Sequence, residues 1–290
     1  MIRSFRIAIL FCLLPFFKAS AITYLFSHGI ADSYKQAYRY VKTYTWCGMQ
    51  YENDHYIIDG KLKTFNYQDV IVGPIFNPCK SSLGQKNEIE ALKKAYDQID
   101  DDEIVLVGVS RGAAVALTFL AKHEPKKIKA VVLEAPFDDA KTVFNYCWYV
   151  KLIAKLTCAG SENLYKWFSA VSAHDQEGEK PIDLLERIKK DVPIMIWCTE
   201  NDNTVSCKAS VAIYKKLKKI GHKGTYLLKV KKGKHSKLLR SEEGETCQNV
   251  THAFYKKHGL PYKDEFAKKG KQEFKNCQPS LKDLQEEKDK

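Results

Sequence analysis

The sequence predicts a three-layer α/β/α domain on a mostly parallel, six-stranded sheet. Three observations carry that prediction. Short, continuous apolar runs alternate with segments of helical periodicity along most of the chain. Strands that are apolar at nearly every position are buried on both faces, as parallel sheets covered by helices are. One run ends in Gly108-Val109-Ser110-Arg111-Gly112 and passes directly into an Ala-rich helical pattern.

The elements follow in order. "ITYLFSHG" reads as a first strand ending at Ser27, and a polar, amphipathic stretch continues to about Tyr44. "DVIVGPIF" reads as a short buried strand. "NEIEALKKAYDQI" places Ile89, Leu92, Ala95, Tyr96 and Ile99 at helical spacing. "EIVLVGVS" is a strand, "RGAAVALTFLAKH" a helix and "IKAVVLEAP" a strand. "PIDLLERIKK" opens on proline, as first helical turns often do. "VPIMIWC" is a strand, and "KASVAIYKKLKKIG" a helix closed by Gly221. "GTYLLKV" is the sixth strand, and "NVTHAFYKKHG" a helix closed by Gly259.

One domain, residues 22–259, accommodates these elements, with no internal repeat. It is interrupted at 137–180 by a stretch rich in Tyr, Trp and Phe, read as an inserted lid because so long a connection is usually functional. Residues 260–290 read as a charged C-terminal extension. Residues 1–21 have the layout of a secretory signal peptide: Arg3 and Arg6, an apolar run from Ile7 to Phe17, and Ala19-Ser20-Ala21. The expectation is a secreted or periplasmic protein, or one anchored by an uncleaved leader. Eight cysteines would remain, an even number that suits an oxidising compartment. Pairing neighbours along the chain gives Cys47–Cys79, Cys147–Cys158, Cys198–Cys207 and Cys247–Cys277 as expected bridges.

Net charge is +12, and losing Arg3, Arg6 and Lys18 with the leader leaves +9. Lysines are densest between Lys215 and Lys237, without the interleaved aromatics of a nucleic-acid surface. Weak attraction to anionic surfaces is the expectation, and nucleic acid is not an expected partner. No Cys or His cluster has zinc spacing, so neither a metal nor another cofactor is expected.

The serine between two glycines carries the chemistry. A strand turning sharply into a helix lifts a hydroxyl clear of the sheet, and small residues at Gly108 and Gly112 permit the close approach. A nucleophilic serine needs a base, and the base an orienting acid. "WCTENDNTVS", after the fifth strand, offers Glu200 and Asp202, with Asn201 and Asn203 beside them. "KKGKHSKLL", after the sixth, offers His235. His222 precedes that strand and should lie at the other end of the sheet.

In these segments the chain resembles the α/β-hydrolase superfamily, in its compact esterase and prolyl-oligopeptidase-like group. "FSHGI" resembles the first core strand with its His-Gly, "GVSRG" the nucleophile elbow, and "LEAPF" the strand after it. "VPIMIWCTENDNTV" resembles the acid loop, with Cys198 and Thr199 where glycine is usual, and "GKHS" the histidine loop. The resemblance implies Ser110 as nucleophile, His235 as base and Asp202, three residues before Val205, as acid, with Glu200 as the fallback. It implies the backbone amides of Arg111 and Ile30 as the oxyanion hole. The function it implies is serine hydrolysis of a small-molecule carboxylic ester or thioester. A serine peptidase is the alternative, ranked lower because such peptidases usually carry a substrate-gating domain not visible in this sequence. A catalytically silent binding protein of the same fold is a third reading, against which the intact Ser110, Asp202 and His235 stand.

Overall fold

The computed structural model describes residues 22–72 and 75–286. The expected leader, residues 1–21, lies outside the described residues. The main sheet has six strands: β1 (Ile22–Ser27), β2 (Lys61–Thr64), β3 (Glu103–Val109), β4 (Ile128–Glu134), β5 (Ile194–Thr199) and β6 (Thr225–Val230). They run in the order β6-β5-β4-β3-β1-β2, and every pairing is parallel. Adjacent residues of one strand point to opposite faces. Ile104 and Leu106 of β3 therefore join one core cluster while Val105, Val107 and Val109 join the other. Both faces are covered, which is why these strands are apolar throughout.

The first face is packed by α1 (Lys86–Asp97), α2 (Arg111–His123) and α6 (Cys207–Lys219). The second is packed by α7 (Gly244–Lys257) and a 3₁₀ turn at Tyr34–Arg39. Gly221 and Gly259 have φ of +83° and +70°, the left-handed conformation expected where a helix stops.

The expected strand count holds, but one member differs. "DVIVGPIF" is not in the main sheet. Val70–Val72 and Ile75–Phe76 form a separate two-stranded antiparallel sheet. The sixth place belongs to β2, whose "KLKT" lies parallel to β1 at the sheet edge. An edge strand needs no continuous apolar run, and charge on it discourages pairing with another chain.

The stretch after Leu260 does more than extend the surface. Helices α8 (Asp264–Lys269) and α9 (Lys271–Asn276) pack on α7 and lead the chain back to β6. Gly270 between them comes so close to α7 that a Cβ would stand 2.2 Å from the Asn249 carbonyl oxygen. Leu227 then donates its N–H to the Cys277 carbonyl at 2.7 Å, covering part of the β6 edge. Ala267, Cys277 and Leu284 are buried.

Of the four expected disulfides, only Cys198–Cys207 is present. Cys47, Cys79, Cys147, Cys158, Cys247 and Cys277 are free. Cys147 and Cys158 fail for a geometric reason. They flank α4 (Trp148–Leu156), whose rise of 1.5 Å per residue separates them by about 16 Å, far beyond disulfide reach. Cys47 lies exposed at the turn of the hairpin formed by Thr43–Trp46 and Met49–Glu52, and Cys79 lies exposed on a separate 3₁₀ turn. Cys247 and Cys277 stay buried as thiols, and burial pushes Cys277 up to about 12.

Candidate active site

The chain leaves β1 for β2 on one side and returns to β3 on the other. Ligand crevices in open α/β sheets form at such a reversal, beyond the carboxyl ends of the strands. His28-Gly29-Ile30 follows β1 and Ser110 follows β3, so both loops border that crevice. Two strands pass directly to a non-glycine residue with positive φ, β3 to Ser110 and β4 to Ala135, and the loops after β1 and β6 hold two more, Ala31 and Ser236. Such conformations cost roughly 1–3 kcal/mol each and cluster where loops are held for function.

Ser110 sits at φ +54° and ψ −117°, between β3 and α2. The two glycines around it have separate duties. A Cβ on Gly108 would stand 2.7 Å from the Gly112 carbonyl oxygen. A Cβ on Gly112 would stand 2.0 Å from the Ser27 carbonyl oxygen. The turn is tight because α2 folds back against β3 and β1 at once. The Ser110 N–H donates to the Glu134 carbonyl at 2.8 Å, tying the turn to β4.

His235 reaches this serine from the loop after β6. Its Nε2 lies 2.9 Å from Ser110 Oγ, and its Nδ1 lies 2.6 Å from Asp202 Oδ2. Asp202 is buried, and its other oxygen accepts the backbone N–H groups of Thr204 at 2.8 Å and Val205 at 2.9 Å. Those two donors fix the carboxylate plane and leave Oδ2 for the imidazole. Glu200, the fallback, is exposed and ion-paired with Lys229 at 3.1 Å. His222 lies before β6, at the opposite end, where its Nδ1 is 2.7 Å from Thr225 Oγ1. The disulfide joins Cys198 in β5 to Cys207 at the start of α6 and brackets the acid loop, with Cα atoms 5.2 Å apart.

The two residues nominated for the oxyanion hole, Ile30 and Arg111, line one cavity with Ser110. Arg111 is the first residue of α2, where backbone N–H groups lack an intrahelical partner. Its side chain runs the other way, into the protein. Fully buried, it is ion-paired with Asp69, lies 3.6 Å from a Glu88 oxygen and stacks 4.3 Å above the Tyr67 ring. It also donates to the Gly29 carbonyl at 3.1 Å, so one side chain anchors the His-Gly loop to the elbow. His28 braces the same loop. Its Nδ1 is 2.8 Å from the Gly29 oxygen, and its Nε2 accepts the Tyr67 N–H at 3.3 Å. Burial, reinforced by the Arg111 charge, lowers His28 to about 3, so a single neutral tautomer holds the loop.

Sequence reasoning missed five supports of this site. Glu134, at the end of β4, is buried under the site. It accepts from the Tyr40 hydroxyl at 2.5 Å and from the Leu238 N–H at 3.2 Å, three residues past His235. Burial pushes this carboxyl up. Tyr146 donates its hydroxyl to the Asp202 carbonyl at 2.6 Å, and the Trp148 N–H donates to the Asn203 carbonyl at 3.0 Å. Asp69 and Glu88 were invisible as partners of Arg111. The one available signal was a lone acid closing the otherwise apolar run Val131-Val132-Leu133-Glu134.

The lid is helical: α3 (Ala140–Tyr146), α4 and α5 (Ser161–Val171). With Ile30, Leu83 and Phe137 these helices enclose a cavity of about 260 Å³ that opens on Ser110. Its walls are almost wholly apolar, with Phe144, Val150, Trp167 and Phe168 among them. The aromatics divide their work. Tyr146 clamps the acid loop, and Tyr165, buried, meets His174 Nε2 at 2.9 Å. His174 Nδ1 lies 3.1 Å from the Ser82 carbonyl oxygen, fastening the lid's far end to the body.

Among solved structures the chain is similar to an acylaminoacyl peptidase of Pyrococcus horikoshii (TM-score 0.59, 15% identity). That match covers 84% of this chain and 38% of the peptidase, so the chain spans well under half of that protein's length. It is also similar to an esterase of Pyrococcus furiosus (TM-score 0.55, 18% identity), with 82% of each chain covered. At such identities the likeness is one of fold. No curated protein sequence matches the chain. The model of the prolyl oligopeptidase family matches residues 85–259. That span holds the elbow, both later loops and more than half of the sequence, so the chain belongs to the prolyl oligopeptidase family, and its fold is that of an α/β-hydrolase.

Proposed function

We propose that the protein hydrolyses carboxylic esters or thioesters through Ser110, His235 and Asp202. The observation that carries the ester reading is the apolar cavity beside Ser110, which suits an acyl chain. Ser110 Oγ attacks the acyl carbonyl carbon as His235 Nε2 takes its proton. Asp202 holds the ring with Nε2 free to accept and balances the imidazolium charge. The oxyanion is met by the Arg111 and Ile30 amides, each such donor contributing roughly 3 kcal/mol to the barrier reduction. The intermediate collapses, the alcohol or thiol leaves with the proton from His235, and the acyl group remains on Ser110. Water then attacks the acyl-enzyme, giving its proton to His235, and the acid is released as Ser110 is reprotonated.

A peptidase reading draws support from the family match, since the same machinery cleaves amides. A panel of p-nitrophenyl esters of rising acyl length, run beside aminoacyl p-nitroanilides, separates the two. Turnover of esters with a preference for medium or long chains is expected. Anilide cleavage at comparable kcat/KM would replace the ester reading by the peptidase one.

A further inference from the structure

The lid turns apolar surface outward as well as inward. Leu156 is 75% exposed, Trp167 62%, Trp148 53% and Leu152 46%. Helix α4 buries only its narrow side, with Val150 buried and Ala154 half-buried. At roughly 100° per residue, Trp148, Leu152, Leu156, Tyr149 and Ile153 fall within one arc of about 140°. One edge of that arc is the rim of the cavity, because Tyr149 and Ile153 line it. Trp167 of α5 lies on the rim and is exposed too. The outer apolar face and the passage to Ser110 are thus one continuous surface. On the other side the arc is bordered by Lys151 and Lys155, both exposed. Between Trp148 and Val171 the lid carries three lysines and a single acid, Glu162, on a chain of net charge +12.

From this geometry we infer that the outer face of α4 and α5 docks on an anionic lipid surface, with the cavity mouth opening into that surface. Aromatic and leucine side chains beside lysines on a short helix are the composition of segments that lie in the plane of a membrane interface. An apolar face left exposed to water is otherwise costly. No helix among the described residues is long and apolar enough to cross a bilayer, so the contact is peripheral. The lysines favour phosphate-bearing headgroups over a neutral surface. A long-chain acyl ester leaving the lipid phase would pass Tyr149, Ile153 and Trp167 directly into the cavity. That last step rests on the ester-hydrolase reading, whereas the docking does not.

The test is co-sedimentation of the full chain with vesicles of phosphatidylcholine alone, or of phosphatidylcholine with phosphatidylserine. Turnover of a soluble short-chain p-nitrophenyl ester is measured on the same preparations. The protein is expected to sediment with the anionic vesicles. The double variant Leu152→Gln/Leu156→Gln, whose side chains lie outside the cavity, should lose at least about tenfold in partitioning while keeping soluble-ester turnover. Lys151→Glu/Lys155→Glu should lose binding to the anionic vesicles most at low salt. Absence of sedimentation with either vesicle, soluble turnover intact, overturns the docking and leaves the hydrolase reading standing. Sedimentation without soluble turnover upholds the docking and sinks the hydrolase reading. Equal binding to both vesicles contradicts the anionic preference. A dimer that Leu152→Gln/Leu156→Gln dissociates, without vesicle binding, assigns the face to a second copy of the chain instead.

Discussion

Beneath Ser110, the side chains of Asp202, Glu134 and Arg111 are sealed from solvent, and each has two or more polar partners. Above Ser110, residues 140–171 line the cavity mostly with apolar groups and leave Trp148, Leu156 and Trp167 exposed. The difference is one of tolerance. A buried polar network fails when one partner is removed, because the other is stranded without water. An apolar wall loses contact area in proportion to what is cut from it. On the proposed hydrolase reading, the floor would govern whether the reaction occurs, and the roof which substrate reaches it.

Variants of the floor should thus depress all substrates alike. The largest effect belongs to the reacting groups. Ser110→Ala and Asp202→Asn should each lower kcat by about 10⁴-fold or more, measured on both short and long p-nitrophenyl esters. An Asp202→Asn loss confined to long esters would erase the division between floor and roof. Next comes Arg111→Met, which leaves Asp69 and Glu88 buried without their cation. It should cost about 3–5 kcal/mol in urea unfolding.

These expectations also mark how far the sequence alone could be read. Ile104–Val109 and its glycines were legible because strand, turn and helix are local, and their apolar runs are unbroken. "KLKT" was not, since an edge strand one face of which meets water carries no such run. "DVIVGPIF" misled because its apolar residues mimic a core strand, although Gly73-Pro74 signals a turn. Ser110, Asp202 and His235, which the structure brings together, were legible as a group because each follows a recognisable strand in the expected order. The Arg111 and Glu134 networks join residues 42 and 94 positions apart, and no spacing along the chain announces such contacts. Cysteine parity proved a weak guide: it suggested four bridges, whereas one is formed and Cys247 and Cys277 are accommodated as buried thiols.

Smaller effects sharpen the comparison. The disulfide closes a short loop, so Cys198→Ser/Cys207→Ser should lose about 2–3 kcal/mol of stability. Because Thr204, Val205 and Tyr146 still hold Asp202, kcat for a short ester should fall less than tenfold, which a paired stopped assay and melt would read. Acid should weaken the floor through His28. Its folded pKa is about 3 against an unfolded value near 6.5, so the unfolded chain binds the extra proton and stability falls as pH drops through that window. From pH 6.5 to 5 this single group accounts for about 2 kcal/mol. His252 and His258, lowered to about 4 by burial, act in the same direction, while Glu88 and Glu134, raised by burial, act oppositely. Urea unfolding of His28→Asn at both pH values should show the His28 share of the slope gone. Smallest, on the roof, Trp167→Ala should reduce the long-to-short ratio of kcat/KM by about tenfold, and an unchanged ratio would remove α5 from the substrate path.

The most direct test of the whole account is covalent. The protein is mixed with excess p-nitrophenyl hexanoate, quenched in acid within the first turnovers, digested and mapped by mass spectrometry. A hexanoyl group is expected on the peptide containing Ser110, greatly enriched by slowing water's attack at low pH and absent from Ser110→Ala. Continued ester turnover by Ser110→Ala, or an acyl group found only on another residue, would contradict it.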